Sequence, residues 1–294
     1  FALRVYKDDP CECFKLKGEQ NRDINEKQLE MRMHKAMSVI QFKVEGQIIK
    51  KNPGFHLEDR NLLDKIDYER GVITLDGKEY EMLDINFPTI DPKHPYALSK
   101  DEEEIMSRLE SAFLNCEKLQ DHMRFLLNKG GLYKVYNGNL LYHGCVPLKE
   151  DGTLKSVRLY GRSYKGKSLY EVLESYVRKG FYALNKKEKE RGKDMMWYIW
   201  LSENSPLFGK DKMATFERYF LAEKETHKEK KNPYYNLLEN EKVINMILKE
   251  FGLPEESAHI INGHVPVKAI TGESPIKCNG KVLVIDGGFS RAYQ

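Results

Sequence analysis

The chain has 294 residues, 40% hydrophobic and 32% charged, enough for one large or two modest domains with a sizeable core. Its 48 Lys and Arg against 45 Asp and Glu leave a net charge of +3, too even for the one-sided basic face that nucleic-acid binding requires. No apolar run approaches a membrane span, and five cysteines without a repeated CxxC spacing predict free thiols in a reducing cytosol.

In chain order, Leu29, Met33, Ala36, Met37, Ile40 and Val44 recur at three- and four-residue spacing and predict an amphipathic helix, with His34 at its surface. Residues 71–82 predict a hairpin around Asp76-Gly77. Three prolines make 87–96 a loop. Ser99 and Glu102 form a capping box. The apolar series Ile105, Leu109, Phe113, Cys116, Leu119, Met123 and Leu126 predicts one long helix, ending at Gly130-Gly131. A second hairpin follows over 132–142 around Asn137-Gly138. Residues 156–160 then read as a strand, 169–184 as a helix, and the apolar run 195–201 as a compact strand. The charge-rich runs 186–193 and 223–231 read as solvated loops or helix faces. Residues 240–252 predict a helix, and 258–263 and 281–288 two further strands. Strands alternating with helices indicate an α/β layer architecture.

"GRSYKGKS" (161–168) fits the phosphate-loop pattern G-x-x-x-x-G-K-[ST]. Its Arg162, Tyr164 and Lys165 are too bulky for a loop whose backbone must close on phosphates, and the preceding strand alternates polar with apolar. Ser168 and Glu171 read instead as a capping box for the following helix.

His143 and His264 each stand beside a glycine where an apolar strand ends. Ligands of open α/β sheets bind in the crevice beyond strand C-termini, and neutral imidazole is a common metal ligand. Two such histidines make a shared metal site plausible. Two unrelated structural histidines is the competing reading.

The strings "YHGCVP", "SPLFGKDKMATFERYF", "KNPYY", "NGHVPVK" and "VIDGGFSRAYQ" resemble the bacterial class III fructose-1,6-bisphosphatases, a likeness that runs the length of the chain. That family is similar to the calcineurin-like metallophosphoesterases. The resemblance implies the C-terminal half of a layered β-sandwich flanked by helices, residues 131–294, with an edge of the catalytic domain at 1–18 and a largely helical insert at 19–130. The late H-G and G-H metal motifs of the superfamily fall on His143-Gly144 and Gly263-His264. Trp200 and Ser202 echo the end of a phosphatase strand. The early motifs D-x-H, G-D-x-x-D and G-N-H-[DE] are absent. The chain opens on Phe1 without an initiator Met and ends soon after an apolar strand, so both ends read as cuts in a longer protein. The missing ligands and the general acid are therefore expected upstream of Phe1, and the chain alone is expected to be inactive.

The implied cofactors are two divalent ions, manganese or else magnesium. The implied substrate is a small sugar bisphosphate, with no nucleic-acid or membrane partner and a homo-oligomer as an open option. Lys210, Lys212, Arg218 and Lys268 are the candidate phosphate-binding cations. Asn262 and Asp286 are candidates for orienting the imidazoles, although Asp286 reads equally as a strand cap. Cys145 reads as a small buried residue. The alternatives are a phosphate-loop nucleotide-binding protein or kinase, and a non-catalytic regulatory remnant.

Overall fold

The computed structural model describes residues 1–15, 23–268 and 272–286. In chain order the helices are α1 (Ala2–Val5), α2 (Ile24–Lys51), α3 (Lys100–Leu114), α4 (Glu117–Lys129), α5 (Gly166–Tyr182), α6 (Lys186–Leu201), α7 (Thr215–Phe220) and α8 (Glu241–Glu250). The strands are β1 (Ile66–Asp67), β2 (Val72–Leu75), β3 (Lys78–Glu81), β4 (Tyr133–Tyr136), β5 (Asn139–Tyr142), β6 (Val157–Leu159), β7 (Arg162–Tyr164), β8 (His259–Asn262), β9 (Ile276–Lys277) and β10 (Val282–Val284). Among the described residues, no helix is long and apolar enough to cross a membrane.

The chain forms two compact units, Phe1–Gln120 with Ala214–Lys228, and Asp121–Met213 with Glu229–Gln294. The expected boundary at 18/19 lies outside the described residues, as does the 287–294 end of the last family string. In the first unit, Asp23 starts α2 by accepting from the Asn25 and Glu26 amides. One face of α2 buries Val39 and Phe42 against Ile73, Phe87, Phe216 and Phe220. The small sheet β1-β2-β3 closes through the Asp76-Gly77 turn, both residues at positive φ. The Ser99–Glu102 capping box is present at the start of α3.

The predicted long helix is two, broken at Asn115-Cys116. Asn115 turns its side chain onto Ser111 Oγ, and Gln120 reaches back to the Phe113 carbonyl, an acceptor that a continuous helix would give to the amide of residue 117.

The second unit is built on a five-stranded mixed sheet, ordered β4-β5-β8-β10-β9. The β4–β5 hairpin turns at Asn137-Gly138, again with both residues at positive φ. Strands β5, β8 and β10 run parallel. Leu140, Ile260 and Val282, which share a register row, pack on Ile244, Ile247 and Leu248 of α8. Fully burying such aliphatic side chains contributes about 1.5–3 kcal/mol each.

Residues 195–201 are not a strand. They form the last two turns of α6, which begins where Asn185 accepts from the Lys187 and Glu188 amides. Met195, Tyr198, Ile199 and Leu201 are buried at helical spacing, while Met196 and Trp200 are exposed. A short apolar run carries no period of its own, and the cap ten residues upstream decides its conformation. Ser202 closes this helix rather than a strand. Helices α5 and α6 touch through Gly180 and Gly192: a Cβ on Gly192 would lie 2.2 Å from the Gly180 nitrogen.

Candidate metal centre

Because β5, β8 and β10 are parallel neighbours, their C-terminal ends share one edge of the sheet. His143 follows β5, His264 follows β8 and Asp286 follows β10. This is the edge at which open α/β sheets bind ligands. His143 Nε2 lies 3.0 Å from His264 Nδ1, with ring centroids 4.9 Å apart. Residues 121 positions apart in sequence thus meet as the strand-tip reading expects.

The turn carrying His143 is pinned at four backbone groups. The His143 carbonyl accepts from Gly263 N at 2.8 Å, and Cys145 N donates to the Pro206 carbonyl at 2.9 Å. The Gly144 carbonyl accepts from Asn262 Nδ2 at 2.9 Å, and that of Cys145 from the Tyr170 hydroxyl at 2.9 Å. The glycine next to His143 is required by crowding. A Cβ at Gly144 would lie 2.4 Å from the Pro206 carbonyl oxygen and 2.9 Å from that of Leu207. On the other side the expected backbone freedom falls one residue later. Gly263 does not turn into the left-handed region; His264 does, at φ 70°, a conformation that non-glycine residues hold only when the surroundings impose it.

His264 is driven toward its neutral form, chiefly by burial and then by His143, with Lys210 adding to the effect and the Phe208 carbonyl and Asp286 opposing it. A neutral ring with a free nitrogen lone pair is what a metal requires. The two nitrogens stand at hydrogen-bond distance, one ring donating to the other, and loss of that shared proton would leave two lone pairs close enough to face one ion, since Zn–N bonds are about 2.0–2.1 Å. His264 Nε2 is buried without a well-formed hydrogen bond, as is Asn262 Oδ1. The pair fits as two donors only, because no group of three or more His, Cys, Asp or Glu placed for one ion occurs among the described residues.

The other candidates divide. Asn262 fixes the turn through the Gly144 carbonyl rather than holding a ring. Asp286 is close enough to act on His264 electrostatically, and its carbonyl accepts from Val267 N. Lys210 also acts on His264, while its Nζ pairs with Glu229 at 2.8 Å. Lys212 N donates to Asp211 Oδ1, and Lys268 N to Glu273 Oε2. Arg218 lies on α7 in the first unit, its Nη2 on the His227 carbonyl. Cys145 is fully buried and its thiol is pushed up to about 12 by burial, which removes it as a nucleophile. Sequence reasoning missed the role of 206–208, whose carbonyls line the His143 turn and His264. It also missed Asn232, whose Oδ1 accepts from Leu148 N and Tyr234 N. The Asn-Pro dipeptide of "KNPYY" was the available signal, since Asn before Pro caps a helical turn.

The phosphate-loop reading fails on geometry. Residues 162–164 are the second strand of an antiparallel hairpin, β6–β7. The N-cap of α5 is Lys165, three residues before the expected Ser168, and Ser168 Oγ hydrogen-bonds the Lys165 backbone from inside the first turn. The Glu250 carboxylate sits where a phosphate would, accepting from Lys167 N at 3.1 Å.

Over residues 1–294 the sequence matches the family described as Firmicute fructose-1,6-bisphosphatase. The chain belongs to this family. It is 54% identical to the class 3 fructose-1,6-bisphosphatase of Alkaliphilus metalliredigens, 53% to that of Clostridium novyi and 54% to that of Clostridioides difficile. Each match takes in 100% of the chain and 44–45% of the relative, so the chain spans about half the length of these bisphosphatases. No solved structure matches it.

Proposed function

We propose that this chain is part of a metal-dependent phosphomonoesterase that hydrolyses fructose 1,6-bisphosphate to fructose 6-phosphate and phosphate. The observation that carries the reading is the imidazole pair, two nitrogens 3.0 Å apart at the shared edge of parallel strands, in a member of the bisphosphatase family. His143 Nε2 and His264 Nδ1 would hold one divalent ion, manganese or magnesium, with the remaining donors supplied by the part of the relatives that this chain does not span. When bound, a pair of such ions supplies hydroxide and neutralises phosphoryl charge. Residues 131–294 would then be half of a layered metallophosphoesterase domain, and the five free thiols fit a reducing compartment.

The residues of this chain perform the positioning. Burial keeps His264 neutral and available as a donor. Asn262 holds the Gly144 carbonyl and with it the direction of His143. Lys210 adds positive charge beside the pair, where a phosphate dianion would be held.

Alanine at His143 or His264 in the full-length enzyme should lower kcat by more than about 100-fold, the upper end of what loss of an outer-shell group costs. His34→Ala should retain activity, because that ring is engaged with the Tyr219 hydroxyl in the first unit. Residues 1–294 alone should show no metal-dependent turnover. Near-normal activity in either strand-tip variant, or turnover by the isolated chain, would end this reading.

A further inference from the structure

A cavity of about 320 Å³ opens in the second unit, lined in part by Lys210, whose charge acts on His264, and its lining carries two positive charges in excess. Five lysines contribute to it: Lys149, Lys155, Lys210, Lys230 and Lys231. Its acids are already engaged, and of the lysines Lys210 is itself paired with Glu229 at 2.8 Å. Glu203 pairs with Lys155 at 3.0 Å and Glu150 with Lys230 at 2.9 Å. Asp211 Oδ1 accepts from the Lys212 and Lys230 amides. Lys149 and Lys231 form no ion pair within 4 Å among the described residues, although Asp151 feels the first and Glu273 the second. Asn232 is buried, lines the cavity and uses its Oδ1 for the Leu148 and Tyr234 amides.

The cavity is tied to the imidazoles by two short segments. From the Phe208 carbonyl at His264 to Lys210 is two residues, at most about 7 Å of extended chain. From His143 to Leu148 is five residues, at most about 18 Å. Both segments are held in place, through Cys145 N on the Pro206 carbonyl and Asn232 N on the Gly209 carbonyl. A small phosphorylated sugar can therefore reach from one to the other. The larger cleft of about 910 Å³ beside β4 and α5 has no such bias, since Lys134, Arg178 and Lys179 face Glu171, Glu174 and Glu188.

We propose that this lysine-lined cavity is a second anion subsite, taking the phosphate of the bisphosphate that is not hydrolysed. The proposal rests on the bisphosphatase reading for the identity of the ligand, but the subsite itself does not need turnover to be seen. Lysine ammonium groups recognise a phosphate monoester dianion by charge and hydrogen bonds. The cavity is open to solvent, so salt should weaken the interaction.

The test has two arms. In the first, the full-length enzyme is treated with EDTA and titrated with fructose 6-phosphate and with fructose by calorimetry. Saturable binding of fructose 6-phosphate but not fructose is expected, weakened about tenfold by Lys149→Gln with Lys231→Gln and retained in His264→Ala. Absence of saturable binding, or binding unmoved by the lysine changes, overturns the subsite. Lys149 and Lys231 are exposed, so the double variant should fold. The second arm identifies the source of the phosphate. The double variant should raise KM for fructose 1,6-bisphosphate about tenfold while leaving KM for fructose 1-phosphate unchanged. If instead added fructose 6-phosphate alters kcat of the parent enzyme, the double variant abolishes that effect, and both KM values stay put, a separate phosphorylated ligand uses the cavity and the substrate assignment falls. If the parent enzyme hydrolyses neither sugar phosphate, the bisphosphatase reading fails while the first arm still decides the subsite.

Discussion

Lys43 Nζ lies 2.7 Å from Glu102 Oε2, and neither side chain reaches solvent. The carboxylate also accepts from Ser99 N and Thr89 Oγ1, and the ammonium donates to the Thr89 carbonyl. One buried pair thus joins the middle of α2 to the cap of α3. Removing one partner leaves an uncompensated buried charge, which costs about 3–5 kcal/mol. Lys43→Met should therefore lower stability by about that amount in urea unfolding, and Lys43→Met with Glu102→Gln should recover part of it. A single variant as stable as the parent would show that the pair is not buried as a pair.

Gly144→Ala should be far more damaging than its size suggests. The new Cβ would meet the Pro206 and Leu207 carbonyls at 2.4 and 2.9 Å, so the backbone carrying His143 must shift. Overpacking of this kind costs about 1–3 kcal/mol. Activity of the full-length enzyme should fall at least tenfold. Gly54→Ala, with open space around it, should stay within about 0.5 kcal/mol of the parent. Equal melting temperatures for the two variants would contradict this account.

The depressed pKa of His264 has a signed consequence. Its folded pKa lies below the unfolded value, so the unfolded state binds more protons between the two. The stability held in the neutral ring is complete above about pH 6.5 and is lost as pH falls from there through the folded pKa. Its ring protons should titrate with a midpoint below the ordinary histidine value in NMR spectra of the metal-free protein. His264→Gln should flatten that part of the pH–stability curve. A midpoint at or above the ordinary value would exclude burial as the dominant influence.

Lys167→Ala should leave turnover of the full-length enzyme within about twofold, the scatter expected of an exposed side chain worth a few tenths of a kcal/mol. Its Nζ faces Glu171 at 3.8 Å, and its amide is taken by Glu250. Calorimetric titration with ATP should show no binding; micromolar affinity lost in this variant would reopen the nucleotide reading.

Turn chemistry was the most legible feature of the sequence. Asp76-Gly77 and Asn137-Gly138 specify their hairpins because both residues must take positive φ, which few dipeptides do cheaply. The Ser99 cap was legible for the same local reason. The histidine pair could be located because apolar strands ending beside glycine put imidazoles at a sheet edge, but their adjacency needed the parallel register of β5, β8 and β10. What escaped depends on distant partners. Residues 195–201 are helical because of Asn185, and the start of α5 is set by Glu250, far along the chain. The lysine-lined cavity draws on residues from 148 to 233, a set no local pattern assembles.

The Gly180–Gly192 crossing makes α5 and α6 a single cooperative piece. Backbone lies directly on backbone there, so no side chain can change rotamer to absorb a small separation of the helices. Partial opening would strand buried groups on both at once. Amides near the crossing on either helix should exchange with deuterium together, at one common rate, and a protease should find neither helix accessible while the other stays closed.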